Sequence, residues 1–292
     1  MAEHPGSVGE LADILRQGGY LADRGLATAL YLSMSLPRPI LLEGEVGVGK
    51  TEAAKVLASV FGRRLIRLQC YEGIDTNQAL YEWDYARQML AIRALSERQV
   101  AAEDAVDQLF GPKFLLERPL LAAVRAGDQA VLLIDEVDRA DDEFEAFLLE
   151  VLSDFQVSIP EIGTITAPAP PLVVLTSNRT RELHDALKRR CLYHWIGYPS
   201  AEREVEIVLI KEPGVSQALA RKVVAAVHRL RELDLAKPPG VAETIDWART
   251  LDLLGGTDLD PQLAQDTLGA VVKERDDLDL VQENLEEITS GA

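Results

Sequence analysis

Ile40-Leu41-Leu42-Glu43-Gly44-Glu45-Val46-Gly47-Val48-Gly49-Lys50-Thr51 is the stretch whose reading decides the fold. An apolar run leads into a turn with glycines at 44, 47 and 49, and Ala53-Ala54-Lys55-Val56-Leu57 continues as helix formers. Gly44 to Thr51 satisfies the pattern G-x-x-x-x-G-K-[ST] between a strand and a helix. Glycines let the backbone curl so that successive N–H groups point inward, where a helix N-terminus can cradle phosphate oxygens. Gly44, Glu45, Val46, Gly47, Val48, Gly49, Lys50 and Thr51 are therefore the candidate nucleotide ligands. Lys50 would reach the β- and γ-phosphates and the Thr51 hydroxyl would hold Mg²⁺. The competing reading of the same string is a flexible glycine-rich turn.

Outward from this loop, periodicity predicts two helices over residues 8–16 and 25–34, with Ser7 as the first N-cap. A short buried strand over 40–42 precedes the loop, and its helix over 50–60 ends near Gly62. A second strand is expected over 65–69, and residues 70–111 read as an insertion carrying Tyr71, Tyr81, Trp83 and Tyr85 and a helical stretch over 88–95. A helix over 114–126, a buried strand over 131–134 and an amphipathic helix over 143–154 follow. Residues 156–159 and 162–166 read as a hairpin across Pro160-Glu161, followed by strands over 172–176 and 192–196 around a short helix over 182–189. Strands separated by helices predict an α/β fold with a mostly parallel sheet covered on both faces. Beyond Pro199 there are only helical segments, over 201–210, 217–233, 242–254, 261–271 and 274–288. The division expected is a nucleotide-binding α/β domain over 1–198 and a smaller all-helical lid domain over 199–292. The acidic run Asp276-Asp277-Leu278-Asp279 reads as a solvated helix face.

Composition narrows the function classes. With 292 residues, 47% of them hydrophobic, the chain is long enough for a well-buried core, and a formal net charge of −18 opposes DNA, RNA and anionic membranes as partners. Basic clusters at 63–67 and 188–190 are not interleaved with stacking aromatics. No apolar run approaches the roughly 18 to 20 residues that span a bilayer, and the first residues lack the charged and apolar regions of a secretory signal, so a cytoplasmic location is expected. Cys70 and Cys191 are far apart and read as buried apolar residues, and His184 and His194 as isolated polar ones.

The second half of the chemistry needs an acidic residue at the end of another apolar strand, because strand C-termini open onto the ligand crevice of an α/β sheet. Val131-Leu132-Leu133-Ile134-Asp135-Glu136 supplies two. Asp135 would bind Mg²⁺ through its water shell and Glu136 would take the proton from the water attacking the γ-phosphate. Alone, such a pair also fits a surface turn. Asn178, after the next buried strand, is placed either to position that water or to cap a turn. Arg189 and Arg190 close the helix before the last strand, either to stabilise charge on the transferred phosphoryl group, in trans, or to complement a helix C-terminus.

Taken together, Gly44 to Thr51, Leu132 to Glu136, Thr176-Ser177-Asn178, Lys188-Arg189-Arg190-Cys191 and the helical C-terminal part resemble the AAA+ ATPases. The hairpin before Asn178 and the insertion after Leu68 narrow the resemblance to the MoxR group. Tyr81-Glu82-Trp83-Asp84-Tyr85-Ala86-Arg87-Gln88, Ser158-Ile159-Pro160-Glu161-Ile162-Gly163-Thr164 and Ala242-Glu243-Thr244-Ile245-Asp246-Trp247 look most like its carbon monoxide dehydrogenase maturation branch. The resemblance implies ATP and Mg²⁺ as cofactors, Asp135 and Thr51 at the metal, Glu136 as base, Asn178 as first sensor, and Arg190, or next Arg189, as a finger reaching a neighbouring subunit. It further implies a homo-oligomeric ring, commonly a hexamer, a von Willebrand factor A-type partner, and remodelling of a protein client, here a molybdenum- and copper-containing dehydrogenase. Relatives carry a second-sensor arginine where this chain has Thr244, and Arg249 is the nearest later arginine. The aromatic insertion and the hairpin are either client-facing or local core. The alternatives that share the loop are a nucleic-acid motor and a small-molecule kinase; a GTPase is disfavoured because no Asn-Lys-x-Asp string is present.

Overall fold

The computed structural model describes residues 4–97 and 109–289. They form two compact units, the first of residues 4–14, 23–43, 54–97 and 109–194, the second of residues 15–22, 44–53 and 195–289. Part of the expected insertion, residues 98–108, lies outside the described residues.

Two helices come first, α1 (Val8–Gln17) and α2 (Arg24–Ser35), the second capped by Asp23, whose carboxylate accepts from Leu26 N–H at 2.7 Å. The central sheet holds β1 (Ile40–Gly44), β2 (Arg64–Gln69), β5 (Ala130–Asp135), β8 (Leu172–Ser177) and β9 (Leu192–Ile196) in the order β2-β5-β8-β1-β9. β2 pairs with β5, β5 with β8 and β8 with β1, all parallel. Every residue of β1, β5 and β8 is buried, which is why their sequences are apolar runs until the polar residues at their C-terminal ends. β2 lies at an edge and alternates over 65–69, burying Ile66 and Leu68 while Leu65, Arg67 and Gln69 on the other face stay partly or fully exposed.

After β1 comes α3 (Lys50–Val60), and after β2 the chain forms α4 (Thr76–Ala79), β3 (Tyr81–Trp83) and α5 (Tyr85–Glu97). The helix expected over 114–126 is shorter than its apolar pattern. Pro112 opens a single 3-10 turn ending at Phe114, Leu115–Glu117 becomes β4 and pairs antiparallel with β3, and the helix α6 runs Pro119–Ala126. The cause is Pro119, which holds Arg118 extended (φ −92°, ψ 170°) and sets the helix start at itself.

Helix α7 (Asp142–Asp154) is capped by Asp141, carries three acids in its first turn, and buries Phe144, Leu148, Val151 and Leu152. The hairpin β6 (Gln156–Ile159) and β7 (Gly163–Thr166) follows as expected. Helix α8 (Asp185–Arg190) starts three residues later than the pattern suggests because His184, held extended, serves as its N-cap, its Nδ1 accepting from Ala186 N–H at 3.3 Å.

The second unit contains α9 (Ala201–Lys211), α10 (Gln217–Glu232), α11 (Val241–Leu253), α12 (Pro261–Val271), α13 (Arg275–Glu283) and α14 (Leu285–Thr289). Ser200, Ser216 and Asp260 cap α9, α10 and α12. Its core closes around Trp247, whose indole N–H donates to Thr267 Oγ1 at 2.8 Å. The single helix expected over 274–288 breaks at Asn284. Asp277 departs from the solvated-face expectation: it is buried, and its carboxylate accepts the Ala236 and Lys237 N–H groups at 2.8 and 3.0 Å.

Candidate active site

At the C-terminal edge of the sheet, Asp135 ends β5 only 3% exposed. One of its carboxylate oxygens accepts from the Thr176 hydroxyl on β8 at 2.6 Å, the other from Arg67 on β2 through Nε at 3.0 Å and Nη2 at 2.6 Å. A buried carboxylate stays charged only with such partners, and here three strands contribute to one acid. The Thr176 hydroxyl also accepts the Glu136 N–H at 2.9 Å. Glu136 itself sits in the left-handed region (φ 54°, ψ 50°), a conformation that costs a side-chain-bearing residue on the order of 1–3 kcal/mol. That turn takes the chain off the strand axis directly after Asp135 into the 3-10 turn Val137–Arg139. Glu136 Oε2 accepts from Gln69 Nε2 at 3.0 Å and from Arg139 at 3.1 Å, and the side chain keeps a third of its surface open. A fixed, cation-paired acid next to a more open one is an arrangement suited to holding a cation's water shell and accepting a proton.

Two further acids of this edge escape sequence reasoning. Asp138 is 1% exposed, and its Oδ2 accepts from Asn178 N–H at 3.2 Å, Thr180 N–H at 2.8 Å and the Thr180 hydroxyl at 2.8 Å. It thereby holds the segment that carries Asn178, a half-buried residue at the end of β8. Glu43, 5% exposed at the end of β1, accepts from Ser177 at 3.2 Å and from Tyr193 at 3.1 Å, with Arg179 at 3.9 Å. The available signal for Glu43 is a lone acid in an apolar run, and for Arg67 a lone cation between Ile66 and Leu68. Burial and the charge of Asp135 push the neighbouring Cys70 thiol up to about 12.

In the second unit, Lys50 is buried and its Nζ donates to the Gly44 and Glu45 carbonyls at 2.8 and 2.6 Å. Glu45 and Val46 are exposed; Val48, Gly49 and Thr51 are half-buried. Gly47 and Gly49 have φ of 78° and 96°, and a Cβ on Gly44 would lie 2.0 Å from the Ile196 carbonyl, so the curl needs these glycines. The donor chemistry of this unit fits nucleotide and Mg²⁺, a glycine-shaped curl with its lysine and the Thr51 hydroxyl as a hard oxygen donor; in the first unit Asp135 is a hard oxygen donor of its own.

The cationic complement of the α8 C-terminus is Arg38, whose guanidinium donates to the Arg189, Arg190 and Cys191 carbonyls at 3.1 to 3.4 Å. The side chains of Arg189 and Arg190 are exposed, and among the described residues neither guanidinium has a hydrogen bond or ion pair. Thr244 is buried on α11, whereas Arg249 is exposed and, five residues on, lies about 140° around the helix. The two do not share a face.

A family model described as AAA domain (dynein-related subfamily) matches residues 39–191, from the start of β1 to the end of α8. Chaperone MoxR1 of Mycobacterium tuberculosis is 29% identical over 203 residues, 68% of this chain; the chain spans only 46% of that relative's length. Denitrification regulatory protein NirQ of Pseudomonas aeruginosa is 25% identical over 236 residues, covering 77% of this chain and 79% of its own. Protein CbbQ of Hydrogenophilus thermoluteolus is 26% identical over 203 residues, 67% and 66% of the two chains. A point mutant of Thermotoga maritima RuvB superposes with a TM-score of 0.51 at 16% identity, over 99% of this chain and 81% of that one, which bears on the fold alone. None of these relatives is named for a carbon monoxide dehydrogenase, so the comparisons reach the group and not the branch. The chain belongs to the AAA family, dynein-related subfamily, and is similar to the MoxR1 chaperone, NirQ and CbbQ.

Proposed function

We propose that this chain binds ATP with Mg²⁺, hydrolyses it, and uses the cycle to remodel a protein client. The observation that carries the reading is the strand order: β5, β8 and β1 are adjacent and parallel, so Asp135, Asn178 and the residue that leads into Gly44 leave the sheet at the same edge. The backbone of residues 44–51 and Lys50 bind the phosphates, and Thr51 and Asp135 hold the cation, which when bound supplies charge neutralisation on the phosphates. Glu136 takes the proton from the attacking water, and Asn178 orients that water. Support for Glu136 as base is its strained backbone and its open carboxylate beside the buried Asp135.

Arg190, with Arg189 as the second choice, acts on the nucleotide of a neighbouring copy in a ring, which we take to be a hexamer; exposed guanidinium groups at the end of α8 suit that role. The finer reading, maturation of a molybdenum- and copper-containing dehydrogenase with a von Willebrand factor A-type partner, rests on the sequence strings at 81–88, 158–164 and 242–247 alone. The α/β and lid division at 198 rests on the change to helix formers without strand candidates after Pro199, and a cytoplasmic setting belongs to the same reading; among the described residues no helix is long and apolar enough to cross a membrane.

The test is a pair of variants assayed for nucleotide binding and phosphate release. Lys50→Ala is expected to lose nucleotide binding, and Glu136→Gln to retain ATP while turnover stalls. Normal phosphate release by Glu136→Gln would remove it as base, and unchanged affinity in Lys50→Ala would remove the phosphate-loop assignment. Capture from the native cell with Glu136→Gln in ATP is expected to bring down adaptor and client together.

A further inference from the structure

Glu204, on α9, is fully buried, and four side-chain atoms of its neighbours meet its carboxyl oxygens. Arg231 of α10 makes a two-pronged pair, Nη1 to Oε2 at 2.7 Å and Nη2 to Oε1 at 2.8 Å. His228 Nε2 lies 2.9 Å from Oε2, and the Thr244 hydroxyl of α11 donates to Oε1 at 2.6 Å. A buried carboxylate is costly unless so completely paired, so the cluster fixes three helices against one another. Arg231 continues the chain of contacts: its Nε donates to the Pro239 carbonyl at 2.8 Å, and its guanidinium stacks over the Tyr198 ring at 4.2 Å. Both Pro239 and Thr244 flank the start of α11.

That start meets the phosphate loop through a backbone hydrogen bond. Ala242 N–H donates to the Gly47 carbonyl at 3.2 Å. A Cβ on Gly240 would come within 2.6 Å of the Val46 carbonyl oxygen and 2.8 Å of Gly47 Cα, so the approach is possible only for glycine. Glu243 caps the same turn, its Oε2 accepting the Gly240 N–H at 2.9 Å. No peptide here is cis, and in a trans peptide the C=O and the following N–H point in opposite directions. A Gly47 carbonyl held toward Ala242 therefore turns the Val48 N–H the other way.

We propose that Glu204, acting through Arg231 and Thr244, is a positioning residue for the phosphate loop: it fixes the start of α11, which holds the Gly47 carbonyl and so presents the Val48 N–H to the nucleotide's phosphates. The inference rests on the nucleotide reading above. Thr244 contributes here by anchoring the helix start and not by reaching the ligand.

The experiment compares the full chain with Thr244→Val, which keeps the shape and loses the donor, and Thr244→Ser, which keeps the donor. Loss of one backbone hydrogen bond's worth of preorganisation is expected to raise the ADP dissociation constant and the KM for ATP about three- to tenfold in Thr244→Val. Its kcat should stay within about twofold, because ground and transition states lose the contact alike. Thr244→Ser should match the wild type, and amide exchange at Ala242 should quicken only in Thr244→Val. Unchanged ADP affinity in folded Thr244→Val overturns the proposal, as does a loss shared by Thr244→Ser. Where Thr244→Val does not fold, Arg231→Lys, which keeps the charge and breaks the two-pronged pair, is read by the same two outcomes. Wild-type protein that binds no ADP would instead remove the nucleotide reading itself.

Discussion

Asp138 shows how much one buried acceptor can carry. Three donors from the Asn178–Thr180 segment converge on its Oδ2, and Asp138→Ala leaves them without an acceptor. The expected cost is about 2–4 kcal/mol in urea unfolding, with turnover falling and ATP affinity unchanged, since Asn178 is displaced and Lys50 is not. A variant as stable and as active as wild type would mean the segment holds itself. The thiols give a pH test. Burial first, and then the charge of Asp135, raises Cys70 from 9.0 to about 12; burial, opposed by Arg38, does the same for Cys191. Both are thiols in the folded protein at pH 8, so iodoacetamide should label neither until the chain is unfolded. Between pH 9 and 12 the unfolded chain releases protons that the folded one retains, so stability is full below 9 and falls as pH rises; Cys70→Ala with Cys191→Ala should flatten that fall in denaturant midpoints. At this scale the residues proposed for the site, Lys50, Thr51, Asp135, Glu136 and Asn178, could be singled out in the sequence because their neighbours in the chain define them. Glu43, Arg67, Asp138 and Glu204 were not legible, because what makes them matter is a partner 24 to 134 residues away.

At the scale of elements, legibility followed burial on both faces. β1, β5 and β8 are apolar up to their polar C-terminal residues and could be read directly, and α7 declared itself by its apolar stripe. The β3–β4 pair could not be read, since Leu115-Leu116-Glu117 continues a helix-like pattern and only its partner and the two prolines make it a strand. The aromatics around β3 settle differently from one another. Trp83 is buried, edge-on to Tyr81 and Phe110 at 6.2 and 5.3 Å, whereas Tyr85 is 64% exposed on α5. Trp83→Ala should therefore cost about 3 kcal/mol or more in thermal or urea unfolding, and Tyr85→Ala within about 0.5 kcal/mol. Equal effects would show that the insertion packs as one body, with no surface left for a client.

For the molecule as an assembly, the decisive question is whether each site is complete within one chain. Arg38 already satisfies the carbonyls at the end of α8, so Arg189 and Arg190 are not needed there, and both are exposed, while the acids proposed for catalysis lie on β5 and directly after it. A residue that serves its neighbour can be separated from one that serves its own chain by mixing. Arg190→Ala keeps an intact loop and lacks the finger; Lys50→Ala lacks the loop and keeps the finger. Each alone should turn over ATP poorly, while Arg190→Ala should still bind nucleotide as isolated subunits. In an equal mixture, about one boundary in four pairs an intact loop with an intact finger, so turnover should recover to about a quarter of wild type if boundaries fire independently. A mixture no faster than the mean of the two parents would put Arg190 in its own chain's structure. Full activity of Arg190→Ala by itself would pass the role to Arg189, and the same mixture made with Arg189→Ala would then show the recovery.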